Sequence, residues 1–550
     1  MRTLLQLCHA RAIVVVLAAT LTGCSRPVAP DLVLLNGAVI TGDASRPTAE
    51  AVAISGERIV AVGSSAEVSA LASSATRRID VQGRTVVAGL NDAHAHFSID
   101  PQGARLAFEA LDPAWDTVRT GIARAAAQES RGTWITASVG PSVVLDPAIT
   151  RDALDRVAPA HPVILRAYYG HGYVLNSAAL RDLVVNDETP DPLGGYFERT
   201  KGSRRINGRA WEYAAWNLDR LLGERASDAD VIAALQATAR EAAGFGITSM
   251  QVMSNAVRIT RFVELLVNAD LPIRVRATPF ALTEVGRRHR SETRQAPWLI
   301  YPTSQVTVGG VKWVIDGTPY ERGAALRHDY ADRPGWRGAA NFSDAEVEVI
   351  VREAAGLDQP LMLHVAGDAS AEAVIATLER LAAAGQGPAR RVRLEHGDGV
   401  VGDLIPRAKA LGLIVVQNPS HFTDVPLFHA RWGLGMQPLR SLIDGGVHVA
   451  LGSDGPMNPF LNMMLATVHP SNPAEAITRA QALDAYTRGA AFAEHEENWK
   501  GTIAVGRAAD LAVLSHDILS VPPPELPKTH SVLTIVAGKV VHDPGGMHTR

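Results

Sequence analysis

The chain has 550 residues, more than one typical domain but suited to a large α/β barrel with additions, and its formal net charge is -4. No long Lys/Arg run accompanies that balance, which argues against nucleic acid as a partner. Gly and Pro are spread along the chain, so there is no low-complexity block, and no internal repeat is visible.

From the N-terminus, Arg2 and Arg11 flank the front of a short apolar run, Ala12 to Leu21, which ends in Leu21-Thr22-Gly23-Cys24. A bilayer-spanning helix needs roughly 20 apolar residues, so this run has the layout of a secretory signal instead. The small residue before Cys24 resembles a bacterial lipoprotein cleavage box. Residues 1–23 are therefore predicted to be a signal peptide and Cys24 to carry lipid. With Cys8 lost in the signal, the mature chain keeps one cysteine and can form no internal disulfide, despite an oxidising destination. Ser25, where an aspartate would favour inner-membrane retention, points to the outer membrane. The predicted product is an exported, periplasm-facing lipoprotein, in contact with membrane only through its anchor.

Short β runs follow: Leu32–Leu35, Ala51–Ile54 and Arg58–Val62, punctuated by Asn36-Gly37 and Ser55-Gly56, which read as tight turns. The far C-terminus has the same character in Asp510–Leu514, Val532–Val536 and Gly538–Val541. Residues 25–86 and 499–550 are read as one small composite β-sandwich domain built from both termini. Closing so long a loop costs entropy that grows only slowly with its length.

Between them the chain alternates strands with amphipathic helices. Predicted strands are Thr85–Asn91, Ile247–Met253, Ile273–Thr278, Val306–Asp316, Pro360–Ala366, Arg391–His396, Leu413–Asn418 and His448–Asp454. Ala371–Ala384 is a predicted helix, with Val374, Leu378 and Leu381 at helical spacing. Eight strands with helical crossovers predict a (β/α)8 TIM barrel over 87–498, because parallel strands need such connections. An insertion at 97–245, with strands of its own at Trp134–Ala137 and Val163–Arg166, is read as an α/β subdomain over the barrel mouth.

The barrel reading gathers the chemistry. His94 and His96, at i and i+2 on an extended segment, point to one side and can share a metal, imidazole being a preferred ligand of zinc and similar ions. His364, His396 and Asp454 fall near the C-terminal ends of later strands, where barrel enzymes place their catalytic groups. Lys312 sits inside the apolar run Val308–Ile315, where an unpaired lysine is almost never buried. Around these, Glu395 reads as a structural partner and Asp92 as support for the histidine turn. His421 could touch substrate or cap a loop, and Asp316 and Glu321 could organise the loop after the fourth strand. Trp211-Glu212-Tyr213 reads as pocket lining or core.

These segments resemble the amidohydrolase superfamily, most closely its branch of metal-dependent hydrolases related to N-substituted formamide deformylase. The resemblance is carried by Gly89–His96, Val311–Gly317, His364–Asp368, Arg393–His396 and Leu451–Pro456, and by Gly506–Val513, where such chains re-enter the small β domain. His171–Asn176 in the insertion is similar to the branch's own His-to-Asn motif, which faces the pocket. The resemblance implies one metal held by His94, His96, Asp454 and a carboxylated Lys312, and a second held by that carbamate, His364 and His396. It further implies zinc as the default ion, a metal-activated water, Asp454 as the proton shuttle and His171 as donor to the substrate carbonyl.

The implied activity is hydrolysis of a carbon–nitrogen bond in a small non-peptide amide such as an N-acyl or N-formyl amine. A deaminase, or an ester or lactone hydrolase, would use the same metal centre. The rival of another class is a non-catalytic binding lipoprotein, against which every expected ligand type is present. A homo-oligomer is compatible with all of these.

Overall fold

The computed structural model describes residues 29–288, 305–356, 360–388, 390–433 and 435–547. The predicted signal peptide, and Cys24 with its lipid, lie outside the described residues. Among the described residues no helix is long and apolar enough to cross a membrane.

The centre of the molecule is parallel. Leu90–His96 (β1), Ile247–Ser254 (β2) and Arg274–Pro279 (β3) lie side by side, with Val306–Val308 added beside β3. A second sheet runs in sequence order through Val311–Val314 (β4), Leu361–Val365 (β5), Val392–His396 (β6), Ile414–Gln417 (β7) and His448–Leu451 (β8). Every residue of β2, β4, β5, β6 and β7 is buried. Strands buried along their whole length suit parallel sheets covered on both faces. Helices supply the cover: Asp368–Ala383 buries Ala371, Val374, Ile375, Leu378 and Leu381 toward the strands.

The two sheets are also linked by backbone contacts at two places. Phe280, just past β3, bridges Lys312 of β4, and the Ala281 amide donates to the Lys312 carbonyl at 3.0 Å. Opposite, the Asp454 amide, just past β8, donates to the His94 carbonyl of β1 at 3.0 Å.

Two predicted strands divide. Thr85–Asn91 is not one strand: Thr85–Ala88 pairs with Ala38–Ile40 and Leu511–Leu514, whereas β1 begins at Leu90. The break is at Gly89, where a Cβ atom would come within 2.1 Å of Thr248 Oγ1, so only glycine lets β1 and β2 approach there. Val306–Asp316 also splits, at Gly309-Gly310; its first piece pairs with β3 and its second with β5. The strand predicted to end at Asp454 stops at Leu451, leaving Asp454 on the following loop.

Both ends of the described chain contribute to a six-stranded sheet, in which Ala38–Ile40, Thr48–Ala49 and Thr85–Ala88 join Leu511–Leu514, Ser531–Val536 and Lys539–His542. A four-stranded sheet of Leu32–Leu35, Ala51–Ser55, Arg58–Gly63 and Arg77–Asp80 shares its core, through residues such as Leu34, Ile54, Val86, Leu511 and Ile535. The insertion carries its own six-stranded sheet, which includes Trp134–Val139, Val163–Ala167, Gly172–Leu175 and Ile206–Glu212.

Candidate metal centre and its cavity

At the C-terminal ends of β1, β4, β5 and β6 a cavity of about 390 Å³ opens, lined among others by His96, Lys312, His364, His396, His421 and Asp454. His94, fully buried, lies directly behind its wall.

The imidazoles are oriented from behind. His94 Nδ1 faces Glu395 Oε2 at 2.5 Å, and Glu395 is clamped in turn by Arg393 through Nε (2.8 Å) and Nη2 (3.2 Å). Burial opposes the Glu395 charge, but Arg393 and His94 outweigh it and hold the carboxyl well below the usual range. It is therefore an acceptor, and His94 Nδ1 is the donor. His96 Nδ1 likewise donates to the Met253 carbonyl at 2.8 Å. Both rings must then present an unprotonated Nε2 forward, and these two atoms are 3.1 Å apart. Two lone pairs at that separation repel unless a cation lies between them.

Other donors converge on the same point. Asp454 lies 3.7 Å from His94 Nε2, 3.6 Å from His96 Nε2 and 3.8 Å from His396 Nε2. With zinc–nitrogen bonds of about 2.0–2.1 Å, tetrahedral ligand atoms sit about 3.3 Å apart, so the spacing suits a metal. His364 Nε2 and His396 Nδ1 are buried with no hydrogen-bond partner, although their rings lie only 4.4 Å apart. Burial lowers all four imidazoles, His96 to about 4, which keeps them in the neutral form that binds metals. Burial also opposes the Asp454 charge, but the surrounding histidines and Lys312 outweigh it and hold the carboxyl low. The donor set fits a divalent ion.

Lys312 is 1% exposed on β4, and its neighbour across the ladder is Met362, two residues before His364. Burial lowers its amine to about 8, against the opposing pull of Glu395 and Asp454.

The remaining predicted residues separate clearly. Asp92 accepts from the His94 amide (3.1 Å) and from the Ser453 amide and hydroxyl (2.9 and 2.5 Å), stitching the turn after β8 to β1. At that seam Gly452 passes so close that a Cβ would lie 2.4 Å from the His94 nitrogen. His421 belongs to the site, with its Nε2 3.2 Å from the Asp454 carbonyl and its ring stacked on His396. Asp316 takes the amides of Ala325, Ala366 and Gly367, and Glu321 accepts from Thr318. Both organise the loop after β4.

His171 lines the cavity with its ring 4.9 Å from that of His364, but Asn176, at the other end of the motif, does not. Asn176 instead caps the helix Ser177–Asp182 and bonds the backbone of Val163, Ala158 and His161. In Trp211-Glu212-Tyr213 only the middle residue faces His171; Trp211 and Tyr213 are core. Glu212 lies 3.0 Å from His171 Nδ1. Burial resists the His171 charge, but Glu212 outweighs it and raises the imidazole to about 9.

Three residues of this site, Glu212 (φ 52°), His396 (φ 63°) and Asp454 (φ 38°), hold the left-handed backbone that side chains avoid. Such strain costs on the order of 1–3 kcal/mol each and collects at functional sites.

The match to a family model decides the kinship: residues 77–542 match the model described as Amidohydrolase family. The chain belongs to the amidohydrolase family. As a member it is a hydrolase for carbon–nitrogen bonds other than peptide bonds. Among characterised amidohydrolase relatives, the N-substituted formamide deformylase of Arthrobacter pascens is 29% identical over 502 residues, covering 85% of this chain and 90% of that protein. An uncharacterized metal-dependent hydrolase from Pyrococcus horikoshii shares the fold, with a TM-score of 0.69 at 19% identity over 90% of this chain and 99% of that one. So does a Xanthomonas campestris adenosine deaminase with bound zinc, with a TM-score of 0.52 at 16% identity over 94% of this chain and 93% of that one.

Many cavity residues escape the sequence reading, among them Arg166, Asp219, Trp216 and Phe280. Arg166 had a signal. It is a charge within the otherwise apolar strand Val163–Ala167, the same anomaly that singles out Lys312.

Proposed function

We propose that this amidohydrolase cleaves the carbon–nitrogen bond of a small N-acyl or N-formyl amine at a centre of two divalent metals, zinc by preference, bridged by a carboxylated Lys312. We further infer that the eight strands β1 to β8 close into a (β/α)8 barrel, flanked by the composite β domain and the inserted subdomain. The observation that carries the reading is the cluster of His94, His96 and Asp454, which His396 joins through Nε2 at 3.8 Å from Asp454, with the ring of His364 4.4 Å from that of His396.

His94, His96 and Asp454 would hold one ion and His364 and His396 the other. Lys312 supports both after its neutral amine adds carbon dioxide and releases a proton. When bound, the metals supply an acidified water and Lewis acidity toward a carbonyl. Asp454 takes the water's proton and returns it to the leaving nitrogen, base first and acid second. Protonated by its pairing with Glu212, His171 donates to the carbonyl oxygen as negative charge builds there. Trp216 and Phe280, packed edge to face at 5.4 Å, wall the reacting end against solvent.

The deformylase relative supports the amide class. A deaminase reading lacks a second acid beyond β5, since Asp368 is turned away to accept the Arg327 amide at 2.8 Å. Cys24 is proposed to anchor the chain to the membrane after export, which Cys24→Ala would test by release from the membrane fraction.

The decisive experiment is metal content by elemental mass spectrometry on protein starting after Cys24, purified without chelators, followed by a screen of N-formyl and N-acyl amines. Two metals per chain with turnover are expected; one metal would sink the bridge. None, even after zinc and bicarbonate are offered, would sink the hydrolase mechanism.

A further inference from the structure

The cavity does not end at the histidines. It continues past Trp216 and Phe280 to the sheet of the insertion, whose upper edge forms its far wall. Strand registers define that edge. Ser138 pairs with Arg166, and Arg166 with Tyr173, so the three form one lateral row on a single face of the sheet. Thr136, two residues before Ser138, lies on the same face beside its partner Arg105. The opposite face, with Ile135, Val139 and Leu165, is apolar core. Ser138 is exposed although both its chain neighbours are buried, so its hydroxyl opens into the cavity.

Arg166 is fixed before any ligand arrives. Its Nε donates to Asp219 Oδ1 at 3.2 Å and its Nη1 to Asp100. Asp219 is held in turn, because Tyr173 Oη and Asn255 Nδ2 (3.1 Å) also donate to it. Arg105 adds a second guanidinium, 79% exposed, at 3.3 Å from Asp100. The two carboxylates cancel the two cations in charge but not in hydrogen-bonding capacity. A guanidinium has five N–H donors, and only two of those on Arg166 go to these carboxylates. With Ser138, this end of the cavity offers surplus donors in a fixed plane.

We propose that this arm is a recognition site for a carboxylate that the substrate carries away from its scissile bond, with Arg166 as the residue that reads it and Arg105 and Ser138 assisting. A carboxylate is the acceptor that matches the guanidinium fork in two parallel bonds. Apolar side chains also line the cavity, Trp216, Phe280 and Met250 among them, and suit a hydrocarbon portion of the substrate. This rests on the hydrolase reading above and narrows its substrates to amides of amines that bear an acid.

The test compares an N-formyl amine ending in a carboxylate with its methyl ester, using metal-loaded enzyme. The acid is expected to have at least a tenfold higher kcat/KM. Arg166→Gln should bring the ratio to within about twofold of one, and Arg105→Gln should lower it about threefold. If Arg166→Gln fails to fold by circular dichroism, Arg105→Gln on its exposed side chain decides. A ratio near one in the wild type, or one unchanged in the folded variants, overturns the proposal. If neither compound turns over, the catalytic reading fails separately, and calorimetric binding of the same pair judges the arm. Acid bound tenfold tighter than ester, with the margin lost in the variants, supports it; equal binding overturns it.

Discussion

Glu395 and His94 meet at 2.5 Å with neither side chain exposed, and Arg393, equally buried, holds Glu395 from the far side. The contact fixes which His94 nitrogen carries the proton, and so which one faces the metal centre. Glu395→Gln keeps the shape and removes the charge. Partners that orient a metal-binding histidine are worth about 10–100-fold in affinity or activity. A drop of that size in kcat/KM, with metal per chain falling in parallel, is expected. An unchanged metal content would show that the orientation does not depend on the anion.

Lys312→Met replaces the amine with an apolar side chain of similar length on β4. Metal content should fall from two to one per chain, and kcat/KM by about two orders of magnitude, close to 3 kcal/mol in the barrier. Added bicarbonate should stimulate stripped wild-type enzyme during metal reloading and leave the variant unaffected. Two metals retained by Lys312→Met would refute the bridging role.

His171 carries a pH signature. Its imidazole lies at about 9 in the fold, above the ordinary 6.5. The proton it holds stabilises the fold fully below the unfolded value, and that contribution disappears as pH rises through about 9. Activity should fall on the same alkaline limb, because the donor is lost with the proton. In His171→Asn, kcat/KM should be lower at neutral pH and should not fall across that range. A wild-type profile flat to pH 10 would remove His171 from the chemistry.

Asn176 is a structural keystone with no role at the metals. Its side chain serves the amides of Val163 and Ala179 and the carbonyls of Ala158 and His161. Leaving buried groups unpaired costs about 1–3 kcal/mol each. Asn176→Ala, which unpairs four such groups, should therefore destabilise the protein by at least about 4 kcal/mol in urea unfolding. The kcat/KM of whatever remains folded should change less than about threefold.

The side chains gathered at the candidate centre are legible because each is chemically conspicuous where it stands. His94 and His96 share a strand face by simple alternation, and Lys312 is a charge in an apolar strand. Glu395 and Asp92 lie close enough in sequence to the histidines to be read as their supports, but other pairings are not legible, because Glu212 meets His171 across 41 residues and Arg393 reaches Gln251 across 142. No local pattern encodes such pairings. The division of Thr85–Asn91 was hidden for a related reason. Both halves are apolar and extended, and only the closeness of Thr248 to Gly89 reveals that they serve different sheets. Arg166 breaks the same rule as Lys312, but no motif surrounds it.

Gly452 sets the gauge of the centre by what it lacks. Its α-carbon lies flush against His94, and the hydrogen bond from the Asp454 amide to the His94 carbonyl is made just beyond it. One added methyl group would act as a wedge, spreading the first strand from the last and pulling Asp454 off the imidazoles. The insertion and the loop after β4 can be rewritten to suit new substrates. The seam has no room for a side chain at position 452, so the spacing of the first and last strands at the reacting end is set by backbone alone.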